Sequence, residues 1–158
     1  MLTSLLDSWS ALYSNHAALR TAIEFAHIGG LVAGGGCALT ADLATMTAAR
    51  EAASDQATEL RLLKRTHAIV VLGLVALSAS GALLFAADVE TYLYSRVFWL
   101  KMALIVLLLV NGGLLLRGER QVKRGVPGAW GRLNIIAVAS LVLWFLTTLA
   151  GAALPNLG

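Results

Sequence analysis

Charged residues are scarce in this sequence, and their scarcity excludes a soluble domain. They make up 13% of the 158 residues, whereas 58% are hydrophobic and the mean hydropathy is +0.77. A typical soluble domain carries about 25% charged residues. The charged residues that are present lie in short segments between long apolar runs, which is typical of a polytopic membrane protein. We therefore expect one domain, residues 1–158, whose main partner is the lipid bilayer.

Cysteine is almost absent as well. The single residue, Cys37, excludes an internal disulfide and a cysteine-based metal cluster. The net charge of +3 and the isoelectric point near 9.4 could suggest nucleic acid. However, the basic residues flank apolar runs, where anionic lipid headgroups are their natural partners. We expect no nucleic-acid binding.

The apolar runs predict an all-α fold, an integral membrane four-helix bundle preceded by an amphipathic surface helix. Residues 2–18 have apolar side chains at helical spacing and polar ones on the opposite side. Four runs that follow are long enough to cross about 30 Å of hydrocarbon. We predict these spans near residues 21–46, 67–87, 97–116 and 134–154.

The basic residues predict the orientation. Of the twelve Lys and Arg residues, nine lie between the first and second spans or between the third and fourth. The positive-inside rule then places these two connections in the cytoplasm and both termini on the non-cytoplasmic side. We expect a multi-pass protein of a bacterial-type inner membrane.

Several ionisable side chains lie within the spans, where they should face the bundle interior. On an ideal helix Glu24, His27 and Asp42 form one polar stripe. Lys101 enters the membrane from the same side at a similar depth, so that a Glu24–Lys101 ion pair is geometrically possible, either as part of a site or as a contact that only registers the two helices. His27 is a candidate helix–helix hydrogen bonder, proton relay or axial haem ligand and metal ligand. His16 could fold over His27 as a second ligand.

Glycines cluster in the first span. Gly30 and Gly34 form a small-x-x-x-small pattern, which allows two helix backbones to approach closely. The pattern is compatible with packing against this chain or another membrane subunit, and also with a flat cofactor such as a porphyrin or quinone lying on the glycine face.

Three segments together resemble a known family. They are residues 25–30, FAHIGG, residues 80–84, SGALL, and residues 98–104, FWLKMAL, followed by Asn111. They are similar to the four-helix core of bacterial CopD-like and HemJ-like membrane proteins, over roughly residues 22–116. The resemblance implies redox or metal physiology, associated with copper for CopD-like proteins and with haem b for HemJ-like ones. It equates the family's membrane histidine with His27 and its third-helix lysine with Lys101.

Three functions follow from these observations. The first is a haem b protein with His27 as axial ligand, Glu24 orienting it or pairing, and Lys101 contacting a propionate or balancing charge. The second is a non-catalytic accessory or assembly subunit of a larger membrane complex. The third is a small copper- or proton-linked transport protein. The sequence leaves open whether the protein is an enzyme.

Overall fold

A computed structural model describes residues 2–48 and 53–157, with side chains described for residues 4–48 and 67–156. Almost all of the described chain is helical, and it contains no strand. Its helices are α1 (Leu2–Asn15), α2 (Ala17–Gly30), a π-helical turn (Leu31–Gly35), α3 (Gly36–Ala48), α4 (Ala53–Ala87), α5 (Val89–Tyr94), α6 (Arg96–Lys123) and α7 (Ala129–Leu157).

Four helical segments are long and apolar enough to cross a membrane: Ala17–Ala48, His67–Ala87, Arg96–Lys123 and Ala129–Asn156. The predicted all-α fold with four spans is therefore confirmed, and the chain is a multi-pass membrane protein. The helices of the third and fourth spans are longer than predicted, because both continue beyond the apolar run. Only a tight turn joins them, in which Gly125 (φ +68°) and Gly128 (φ +71°) adopt the left-handed conformation that glycine tolerates.

The amphipathic N-terminal helix ends earlier than expected, at Asn15. His16 is extended (φ −117°, ψ 92°) and begins the first span at Ala17. The helix α1 packs across the end of α4. Its Trp9 indole donates to the Leu83 carbonyl (3.0 Å), and the Ser10 hydroxyl donates to the carbonyl of Ala87 (2.8 Å), which the end of α4 leaves without a helical partner.

The first span lies at the centre of the bundle, between α4 on one side and α7 on the other, and α7 packs along α6. Within the described residues, α4 and α6 make no extensive close backbone contact. They meet through the stacked rings of Phe85 and Phe98, whose centroids are 5.3 Å apart, at the end of the bundle where α1 and α5 lie. The connections rich in Lys and Arg lie at the other end, which we call the basic end.

Glycine allows the first two spans to touch through their backbones. A Cβ atom built on Gly73 of α4 would lie 2.5 Å from the Gly34 Cα and 2.9 Å from the Gly30 carbonyl oxygen. The predicted close approach at Gly30 and Gly34 is thus made inside the chain, against its own second span. A contact with another subunit through these two glycines would have to displace α4.

Candidate functional site

The side chain of His27 faces α4 in the half of the bundle away from the basic end. Its Nδ1 lies 2.9 Å from the Ser80 Oγ, and its ring edge lies over Gly81, where a Cβ would be 3.5 Å from the His27 Cε1. The close glycine contact described above brings α4 to this distance, because Gly73 precedes Ser80 by about two helical turns on the same face. His27 keeps part of its surface accessible, whereas Ser80 is buried.

The hydrogen bonds around Ser80 determine which ring nitrogen carries the proton. The Ser80 hydroxyl donates to the Ala76 carbonyl at 2.6 Å, and its single hydrogen is therefore committed. The His27 Nδ1 must then donate to the Ser80 Oγ. In a neutral imidazole the Nε2 consequently keeps a lone pair, and the backbone of Leu77 is a further hydrogen-bond partner of the His27 ring. A histidine fixed through Nδ1 with Nε2 available is the usual arrangement of a metal ligand.

Lys101 supplies a positive charge near this histidine. It is half-buried on α6 and close enough to act electrostatically on His27. Its Nζ lies 3.3 Å from the position that a Cβ on Gly151 of α7 would occupy, so the absence of a side chain there makes room for the ammonium group. Two of the predicted site residues, His27 and Lys101, therefore lie within electrostatic range of each other.

Glu24 is not hydrogen-bonded or ion-paired to His27 or Lys101 among the described contacts. Its carboxylate is exposed and accepts a hydrogen bond from the Tyr13 hydroxyl of α1 at 3.2 Å. Among the described residues the ion pair within 4.0 Å is Lys123–Glu119, on the last turns of α6. The expected Glu24–Lys101 ion pair is therefore wrong, because α1 lies over this side of α2 and offers Glu24 a nearer partner.

This contact also affects Tyr13, which lies outside the spans. Its partial burial raises the pKa of the phenol above the usual 10.0, and the neighbouring Glu24 carboxylate raises it further.

The predicted second ligand, His16, is not placed against His27. It is exposed at the junction of α1 and α2, and its Nδ1 lies 3.0 Å from the Leu12 carbonyl oxygen. Eleven residues of continuous helix separate the two histidines, a distance of about 16 Å at 1.5 Å per residue. Because the break at His16 turns α1 back over α2 rather than down into the bundle, His16 cannot fold over His27.

The donor set limits which metals the site could hold. No group of three or more His, Cys, Asp or Glu side chains that could hold a metal ion occurs in the described part of the chain. A bare zinc or copper ion would need more ligands than His27 provides. A porphyrin supplies four nitrogens of its own, so that a single histidine is enough to hold haem iron.

The polar stripe predicted for the first span is interrupted. The π-helical turn at Leu31–Gly35 widens the helix locally, so the residues after it do not keep the azimuth of a continuous α-helix. His27 therefore faces α4, whereas Asp42 faces α7, where the Ser140 side chain is its hydrogen-bond partner. Ser140 could not be identified from the sequence, because a single serine in an apolar span carries no distinguishing signal.

Comparisons with known proteins identify no relative: no protein-family model matches the chain, and no curated protein or solved structure is significantly similar to it.

Proposed function

We propose that the chain is a haem b protein of a bacterial-type inner membrane, with His27 as the axial ligand and both termini on the non-cytoplasmic side. The observation that carries the proposal is the hydrogen bond from the His27 Nδ1 to Ser80, which leaves Nε2 with a lone pair. The resemblance of the histidine and lysine segments to CopD-like and HemJ-like proteins supports the same assignment.

The residues around His27 suit such a group. The histidine keeps accessible surface on an otherwise packed helix face, and its ring edge lies beside Gly81 of α4. Lys101 offers a cation for a carboxylate such as a propionate. A bound haem would supply one-electron redox chemistry at its iron. The chain's own residues would hold His27 in one tautomer, balance charge and keep the site within the apolar layer.

Ser80 acts through His27 in this proposal, as a positioning residue. Its hydroxyl oxygen accepts a hydrogen bond from the Nδ1–H of His27 and so fixes the orientation of the imidazole. Loss of such a hydrogen bond typically lowers metal affinity by about 10–100-fold. Lys101 is not required for ligation, and its removal is expected to weaken binding without changing the axial ligand.

The test is the visible spectrum of the chain purified from haem-replete cells. We expect a Soret band in the wild type, its loss in His27→Ala, a weaker band in Ser80→Ala, and an unchanged band in His16→Ala, which serves as the matched control. A colourless wild-type protein, or equal pigment in His27→Ala, would refute haem binding through His27. An unpigmented chain that co-purified with stoichiometric membrane partners would instead favour the accessory-subunit hypothesis.

A further inference from the structure

A second polar site lies in the half of the bundle near the basic end. Asp42 on α3 is only 3% exposed, and Ser140 on α7, its hydrogen-bond partner, is 7% exposed. Fifteen residues separate Asp42 from His27, about 20 Å along the first span. The proposed haem function makes no use of this carboxyl group.

The surroundings of Asp42 do not provide the donors that an ionised carboxylate needs. A carboxylate has about four acceptor positions, yet the Asp42 Oδ2 is buried and has no hydrogen-bond partner. Thr45, which follows Asp42 by about one turn of α3, is already engaged, because its hydroxyl donates to the Ala41 carbonyl at 2.9 Å. An uncompensated charge in an apolar interior is so costly that such a group becomes neutral instead.

The described basic side chains on the elements around α3 do not compensate a negative charge on Asp42 either. The elements packed against α3 are α4, α7 and the π-helical turn. On these, His67 and Arg132 are the described side chains that can carry a positive charge, and both are exposed. The remaining basic residues of α4 lie in the part whose side chains are not described; they are Arg61, Lys64 and Arg65.

From this geometry we propose that Asp42 and Ser140 form a proton-binding site within the membrane, separate from the His27 site. Asp42 holds the proton as a neutral carboxylic acid, and the Ser140 side chain is hydrogen-bonded to this carboxyl group. Asp42 lies six residues from the end of α3 at Ala48, about 9 Å of helix, so that the proton is exchanged with the basic end rather than with the His27 side. The ligand of the site is the proton itself.

Infrared spectroscopy of the purified chain in phospholipid vesicles tests this assignment. A protonated carboxylic acid has a C=O stretch well separated from the bands of a carboxylate. We expect such a band at neutral pH, equivalent to one acid per chain, which shifts when aspartate is 13C-labelled at its carboxyl carbon. The labelled wild-type protein makes the test independent of whether any variant folds.

Variants then assign the band. It should disappear in Asp42→Asn, which has the shape of the neutral acid, and should shift in Ser140→Ala, which removes the hydrogen-bond partner. Glu24→Gln is the matched control and should leave the band unchanged, because Glu24 is exposed. The absence of any aspartic acid band in the wild type, or its persistence in Asp42→Asn, would overturn the proposal.

Discussion

Replacing Gly73 by alanine should separate the first two spans. The new Cβ would lie 2.5 Å from the Gly34 Cα and 2.7 Å from the Gly34 nitrogen. Both are backbone atoms, which cannot rotate away as a side chain can, and α4 must therefore shift. Overpacking of this kind costs about 1–3 kcal/mol, and the better helix propensity of alanine returns at most about 1 kcal/mol. Because the clash is with backbone atoms, the cost should lie near the upper end of that range, and we expect a net loss of about 2 kcal/mol, which reduces the folded-to-unfolded ratio by about 30-fold.

The assay is reversible unfolding in mixed detergent micelles, with Gly112→Ala as the matched control. Gly112 also lies within a spanning helix, but a Cβ there would meet nothing within 4 Å. The control should be as stable as the wild type or slightly more stable. Gly73→Ala should in addition weaken the His27–Ser80 contact, which depends on the same approach of α4. Equal stability of the two variants would refute the close backbone contact.

Three further predictions concern single hydrogen bonds. Trp9→Phe removes the indole donor that bonds α1 to α4 and should lower the stability of that contact by about 1 kcal/mol. Hydrogen exchange should then be faster throughout α1, and unchanged exchange would contradict this contact. Asn111→Leu should cost only about 0.6 kcal/mol in micelle unfolding, because the Ile136 carbonyl keeps its helical partner; a loss several times larger would contradict the assigned geometry. Glu24→Gln should lower the Tyr13 pKa in a phenolate absorbance titration while leaving it above 10.0, because burial is the larger cause; no change would show that the two side chains do not interact.

Much of the fold was predictable because apolar length alone distinguishes a spanning helix from other structure. The second span ends at Ala87, as predicted, and the charged Asp88 follows it; the helix that carries this span, α4, begins at Ala53, before the predicted start at residue 67. The first span begins four residues earlier than predicted. The predicted start follows the charged Arg20, but a helix begins where its backbone conformation begins, and His16 provides the break.

The candidate site was only partly predictable. His27 and Lys101 were identifiable because ionisable residues are costly in an apolar span. The partner of Glu24 could not be predicted, because it depends on α1 folding back over α2. The position of Asp42 could not be predicted either: projecting the sequence on an ideal helix assumes a uniform turn, which the π-helical segment at Leu31–Gly35 does not have.

The protonation state of the His27 ring tests the central claim most directly. Nitrogen-15 NMR of the haem-free protein in bilayers, with labelled histidine assigned by comparison with His27→Ala, reports which ring nitrogen carries the proton. The hydrogen bond to Ser80 predicts a proton on Nδ1 and a lone pair on Nε2, together with a change in the Nδ1 signal in Ser80→Ala. A ring protonated on Nε2, with Nδ1 as the acceptor, would contradict the proposed ligand.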